Sequence, residues 1–269
     1  MRRYLWQNDL EVPMKFSYLF VIALLSQGCL MKKMAVNHAD IGIEGQIEKR
    51  MPLYSAQKDQ LSLDVDKFLN TTKPEIKSAL VQIKALTLDA SKVESQYQGL
   101  RASYMEISED YLKLLSRYMS QLDDKQQRGF WEKFDKTTAD FKKRTESEQK
   151  ARLEDRYEMF FGTVNPAQMK LLHAFGEEQI AAGPAKAKLR DDLRQKMMII
   201  FTEAVSPEAK AEAFTVAYHN YQEGLMNDAR NITFLKSLMG TLSQKQRTHF
   251  NEKVIEIEEL VTYFLTKDF

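Results

Sequence analysis

One thiol, four imidazoles and many carboxylates are among the groups in this 269-residue chain with the capacity for covalent, metal or acid–base chemistry. The thiol, Cys29, ends the stretch Leu24-Leu25-Ser26-Gln27-Gly28-Cys29. Lipoprotein processing joins a diacylglyceryl group to a cysteine sulfur and cuts the chain just before it, so it needs a thiol behind a small residue at the end of an export signal. The segment from Met14 supplies such a signal, with Lys15 as a positive start and apolar residues from Phe16 to Leu25. Ser26 stands where the commonest processing boxes carry Leu. The run is too short to span a bilayer, which takes about 20 apolar residues, and Lys32 and Lys33 follow it closely. The alternative is an ordinary signal peptide with an incidental cysteine.

Asp9 and Glu11 place acids where an export signal wants positive charge, so Met14 is the expected initiator and residues 1–28 the expected signal segment. The same acids and Pro13 separate Arg2-Arg3 from the apolar run and disfavour a twin-arginine route. Cutting before Cys29 removes Arg2, Arg3, Lys15, Asp9 and Glu11, leaving 36 of the 39 basic and 36 of the 38 acidic residues. A mature chain of zero net charge lacks the basic footprint of a nucleic-acid binder. No second cysteine exists to form a disulfide, so the mature fold must rest on its apolar core, which 241 residues can supply.

The histidines are His38, His173, His219 and His249. A di-iron helical bundle needs Glu three residues before His, but Lys170, Val216 and Gln246 occupy those positions. His173 with Glu177, and His219 with Glu223, share helix faces at four-residue spacing, and each pair lacks the third ligand a zinc site requires. The sequence contains no nucleophile elbow, His-Glu-x-x-His zinc motif or glycine-rich phosphate loop. Adjacent carboxylates at Glu109-Asp110, Asp191-Asp192 and Glu258-Glu259 point to different faces of a helix, which suits solvated charge better than a glycosidase pair. These patterns call for no catalytic residue, metal or cofactor.

The elements that must position these groups are helices nearly throughout. Ten Gly and six Pro mostly fall between periodic apolar segments, and strand-like alternation is absent. The spacing predicts helices over 57–86 with a kink at Pro74, 90–121, 124–161, 166–182, 185–204, 207–239 and 244–266. Residues 29–54 read as a lipidated cysteine and tether with local helix over 41–49, and 55–269 as a helical domain whose two halves meet near 162–165. Between Val93 and Tyr118, apolar or aromatic residues alternate at spacings of four and three. Val93, Leu100, Ile107 and Leu114 form one seven-residue series, and Tyr97, Tyr104, Tyr111 and Tyr118 the other. Such a seam packs along another helix at a shallow angle. The alternative is that the tyrosine ladder forms a partner surface for extended peptide or glycan. The charged run Lys142 to Arg152 holds little that can be buried; it reads as a solvated stretch bridging two packed regions or an exposed binding arm.

Helix starts repeat one device. Leu122-Asp123-Asp124-Lys125-Gln126, Val164-Asn165-Pro166-Ala167-Gln168 and Leu242-Ser243-Gln244-Lys245-Gln246 each place an apolar residue, a capping side chain, two spacers and Gln. The cap accepts from the third backbone N–H while the Gln side chain reaches back to the cap's own N–H. Val205-Ser206-Pro207-Glu208-Ala209 keeps the cap and proline without Gln.

These segments resemble degenerate copies of the Leu-Thr-x-x-Gln motif of small helical periplasmic stress chaperones. The chain is also similar to an uncharacterised family of helical Gram-negative lipoproteins known only as a domain of unknown function. In that family a Tyr-Asn-Asn-Ala-Asp segment soon follows the lipidated cysteine, and Val36-Asn37-His38-Ala39-Asp40 resembles it. A cap-to-Gln start, a long charged helix and a Gly before a second such start then follow, as they do here from Leu122 to Gln168. The likeness covers about Cys29 to Leu172. It departs at Val36, which replaces an aromatic residue, and at Tyr54 in Leu53-Tyr54-Ser55-Ala56-Gln57, where Thr is expected. By resemblance to other lipoproteins, Leu30 after the cysteine implies sorting to the outer membrane.

The expectation is an all-α, elongated bundle of long antiparallel hairpins after a cleaved signal peptide and short tether. Acylated Cys29 would hold it to the periplasmic leaflet of the outer membrane. There it would act without catalysis, binding an envelope protein, a peptidoglycan-associated partner or an unfolded client. The alternatives are an envelope enzyme, such as a peptidoglycan hydrolase using scattered carboxylates or histidines, and a purely structural spacer.

Overall fold

The computed structural model describes residues 36–142, 146–203 and 206–269, with the side chains of 141–142 and 146–147 outside that description. Eleven helices and no strand occur among the described residues, so the protein is all-α. They are α1 (Ala39–Glu48), α2 (Ser55–Thr71), α3 (Lys73–Lys84), α4 (Val93–Ser120), α5 (Asp124–Lys142) and α6 (Glu146–Phe161). After them come α7 (Pro166–Ala181), α8 (Gly183–Thr202), α9 (Pro207–Leu225), α10 (Asp228–Met239) and α11 (Gln244–Leu265).

Local chemistry sets most boundaries. Asn165, Ser206 and Ser243 each hold extended backbone and accept a hydrogen bond from the N–H three residues on, starting α7, α9 and α11. Gly162 ends α6 in the left-handed region, at φ 74°, while its N–H reaches the Glu158 carbonyl at 2.8 Å. The helix expected over 57–86 is two helices, because Pro74 has no N–H to continue the α2 ladder and Thr72 turns its hydroxyl onto the Phe68 carbonyl. The helix expected over 207–239 also divides: Asn227 accepts from the Arg230 N–H and starts α10 afresh. Sequence reading missed that cap because no apolar break accompanies it.

Residues 36–54 are not a tether. Val36, Ala39, Ile43, Ile47 and Met51 form an apolar stripe at helical spacing, and all are buried in the largest core cluster. α4 carries α2 and α3 along one side and α9 along another; α11 packs on α3 and α6, and α8 on α9. This explains why Leu112, Leu115 and Met119, outside the expected seam, are as buried as the seam itself. Each such side chain contributes about 2 kcal/mol of apolar burial.

Three clusters make the core. The largest joins α1, α2 and the second half of α4 to Phe130, Met197, Phe214 and Phe264. The second gathers Val93, Tyr157, Phe161, Leu172, Leu238 and Leu242, and the third fills the α3–α11 contact with Leu80, Ile83, Val254, Ile257 and Val261. All three mix residues from before and after 162–165, so the core does not divide into halves there.

Candidate functional site

The glutamines at the helix starts meet in pairs. Gln168 and Gln246 face each other in a reciprocal amide pair, each Nε2 donating to the other's Oε1 at 2.9 Å. The second proton of Gln168 goes to the Thr241 carbonyl at 3.1 Å, and that of Gln246 to the Thr163 carbonyl at 2.9 Å. Each Oε1 also accepts the cap residue's N–H, from Asn165 and from Ser243, both at 3.0 Å. Both side chains are buried. The α7 and α11 starts are thereby locked to each other as well as capped.

A second pair repeats the geometry at Leu53-Tyr54-Ser55-Ala56-Gln57, the segment whose match to the motif was weakest. Gln126 Nε2 donates to Gln57 Oε1 at 2.6 Å and to the Pro52 carbonyl at 2.9 Å, the carbonyl two residues before the partner's cap position, as in the first pair. Gln57 accepts the Tyr54 N–H at 2.9 Å, and Gln126 accepts the Asp123 N–H at 3.2 Å. Gly129, one turn into α5, leaves room for the Pro52 ring: a β-carbon there would lie 3.0 Å from Pro52 Cγ. Tyr54 carries its hydroxyl over to Asp123 Oδ2 at 2.8 Å. The Asp123 carboxyl is held below the usual carboxylate range by the Gln126 backbone N–H and then by that phenol. The start at Ser206 has only the cap: its Oγ accepts the Ala209 N–H at 3.3 Å.

The tyrosine ladder lies inside the chain. Tyr111 and Tyr118 are 1% and 2% exposed, and Tyr97 and Tyr104 are half-buried. The Tyr97 hydroxyl meets Asp228 Oδ1 at 3.0 Å and accepts from Asn231 Nδ2 at 2.9 Å. Tyr104 accepts from Gln222 Nε2 at 3.2 Å, and Tyr118 donates to Asp64 Oδ2 at 2.6 Å. The expected partner surface is therefore corrected: α9, α10 and α2 of the same chain occupy it. Burial raises the Tyr111, Tyr118 and Tyr218 phenols above their ordinary range, and Tyr157 to about 12.

Two arginines enter the core beside these rings. Arg190, 3% exposed, donates to Thr138 Oγ1 at 2.6 Å and lies 4.9 Å over the Phe134 ring. Arg50 donates to the Gln46 carbonyl, faces Tyr111 and Tyr218, and has its pKa lowered by burial. Nothing in the local sequence marks Arg190 as interior, since Thr138 and Phe134, which receive it, come from α5.

The sequence-spaced histidine pairs do not form. His173 meets Glu154 Oε1 at 2.9 Å, and Glu177 instead meets Lys150 at 3.2 Å. His219 is exposed, while Glu223 binds Arg101 at 2.6 Å. His173 and Glu177 do line one shallow cleft, with Met169 and Lys170. A second, acidic cleft holds Glu75, Glu106, Glu109 and Asp110, where Lys113 lies 3.0 Å from Glu109 and 3.2 Å from Asp110. No group of three or more His, Cys, Asp or Glu is placed to hold a metal among the described residues. Toward the end of the charged run, Lys150 and then Leu153 pack beside Gly176, so this part of α6 is docked on α7. Cys29 and the signal segment lie outside the described residues. No described helix is long and apolar enough to cross a membrane. The chain matches no protein-family model, no curated protein and no solved structure.

Proposed function

We propose that the protein is a lipoprotein held by acylated Cys29 to the periplasmic leaflet of the outer membrane, where its helical body binds an envelope partner or an unfolded client without catalysis. The observation that carries this reading is the setting of the lone thiol: a positive start, an apolar run and Gly28 immediately before it. The core position of Tyr97 to Tyr118 moves the expected contact surface to exposed apolar residues such as Met198, Ile199 and Val216, which are 43%, 55% and 54% exposed.

Metabolic labelling with a palmitate analogue, followed by membrane fractionation, tests the anchor. Cys29→Ser should lose both label and membrane retention while its circular dichroism stays helical; continued labelling would overturn the assignment. The binding role is tested with the chain beginning at Leu30, which should delay aggregation of unfolded clients. Photocrosslinkers at Met198 and Val216 of the full chain should trap a partner in intact envelopes. Failure of both assays would remove the binding reading and leave the anchor untouched.

A further inference from the structure

We infer that the pole built from the start of α1, the α2–α3 corner and the end of α11 is held against the bilayer surface, which fixes the direction in which the body stands. This rests on the proposed lipidation of Cys29. The structure supplies the other half of the argument: the chain enters the core at Val36, which is fully buried. Six residues, 30 to 35, separate that point from the cysteine. Seven residue steps span at most about 25 Å when fully extended. The anchor therefore cannot act as a long leash.

Several contacts join the other segments to the point where the chain enters. Asn37 Oδ1 accepts from the Tyr263 hydroxyl at 2.8 Å, which places the start of α1 beside the end of α11. Asn70 Nδ2 donates to the Phe269 carbonyl at 2.8 Å, Lys73 Nζ donates to the Lys267 carbonyl, and Lys73 lies 3.6 Å from Asp268. The α2–α3 corner is thus tied to the same place. α11 then leads away from it: Lys245 lies 18 residues before Tyr263, about 27 Å along the helix axis. That distance matches the full reach of the tether, so the two ends of α11 are not equivalent with respect to the membrane.

The side chains at this pole suit a headgroup layer. Ile41, in the first turn of α1, is 59% exposed, and Lys267 lies 5.1 Å over the half-buried Tyr263 ring. Tyr and Lys both present an apolar body with a polar tip, the combination found where protein meets the membrane interface. Asp268 is fully exposed beside Lys73 and Lys267, so the pole is not strongly cationic and its orientation does not require anionic lipid.

The test uses the full lipoprotein in phosphatidylcholine vesicles containing nitroxide-headgroup lipid. Acylated Cys29 carries a thioether, so a thiol-reactive fluorophore labels only a newly introduced cysteine, at Asp268→Cys or at Lys245→Cys. The label at 268 should lose most of its fluorescence and that at 245 little. Inserting about 30 Gly/Ser residues between Met34 and Ala35, with an added mean span of about 30 Å, should abolish the difference. Equal quenching at the two positions in lipidated protein overturns this inference alone, and a difference that survives the insertion overturns the tether as its cause. Absence of the lipid mass on Cys29 overturns the anchor reading and this inference with it.

Discussion

Gln246→Ala separates a glutamine that merely caps a helix from one that joins two helices. Loss of a helix cap costs about 1 kcal/mol. In the observed geometry the substitution removes the acceptor of the Ser243 N–H, the acceptor of one Gln168 amide proton and the donor to the Thr163 carbonyl. Gln168 is fully buried and Gln246 is 6% exposed, so water has little access to the orphaned groups. At about 1 to 3 kcal/mol for each unsatisfied buried group, the expected loss is about 4 kcal/mol, a large part of the 5 to 15 kcal/mol that folded domains possess.

The assay is urea unfolding of the chain beginning at Leu30, followed by circular dichroism, with Gln168→Ala and the double variant completing a cycle. Each single substitution already strands its partner, so the double variant should be less destabilised than the sum by about 1 to 2 kcal/mol. Gln57→Ala is the control: Gln57 is half-buried and Tyr54 exposed, so water can take over the Tyr54 N–H, one proton of the buried Gln126 amide is stranded, and the expected loss is about 2 kcal/mol. Losses near 1 kcal/mol at Gln168 and Gln246, adding without coupling, would refute the reasoning and reduce the pair to two independent caps.

Tyr118→Phe removes a donor to Asp64, whose carboxylate also pairs with Arg117 and is only 12% exposed; the expected loss is about 2 kcal/mol, and an unchanged urea midpoint would exclude the contact. The Asp123 carboxyl is depressed below its ordinary 3.8, so the stability it contributes is present above that value and is lost as pH falls through the lower folded pKa. Asp123→Asn keeps a capping oxygen without that proton linkage, so its urea midpoint should fall less steeply than that of the wild type below about pH 4, and parallel curves would dismiss the role. In alkali the sign reverses: Tyr157 is raised from 10.0 to about 12, so its contribution is complete below pH 10 and is lost as pH rises through about 12. Absorbance at 295 nm should show Tyr111 and Tyr218 ionising only with unfolding, whereas a phenolate signal from all tyrosines in folded protein would contradict their burial.

Features encoded within a few residues were legible before the fold. The starts at Asn165 and Ser243 were readable because cap and glutamine lie three residues apart, and the Val93 to Tyr118 seam because helical spacing is local. The stripe Val36, Ala39, Ile43, Ile47 and Met51 has the same local regularity, but Gly42, Gly45 and intervening charges make its amphipathic signal weak, so in sequence it resembles a tether. What escaped sequence reading depends on distant partners. Gln168 finds Gln246 across 78 residues and Gln57 finds Gln126 across 69, while Arg190 reaches Thr138 across 52. His173 shows the converse failure: four-residue spacing to Glu177 places both on one helix face, yet Glu154 from α6 takes the imidazole.

The two glutamine pairs also bear on where function can reside. A side-chain amide offers two donors and an oxygen with two acceptor sites. Gln246 uses both protons on Gln168 and Thr163, and its oxygen accepts from Gln168 and Ser243. No capacity remains for a ligand. An ionised glutamate in its place could accept but not donate, leaving the Thr163 carbonyl without its partner and bringing a charge into a buried site. Glutamine thus meets a requirement for simultaneous donation and acceptance. The resulting clamps fix α2 to α5 and α7 to α11 at their starts, one pair nearly sealed and the other partly wetted. The motif that most resembles a chaperone signature is therefore consumed in holding the scaffold, and a binding role must use surfaces the clamps leave free, such as those bearing Met198, Ile199 and Val216.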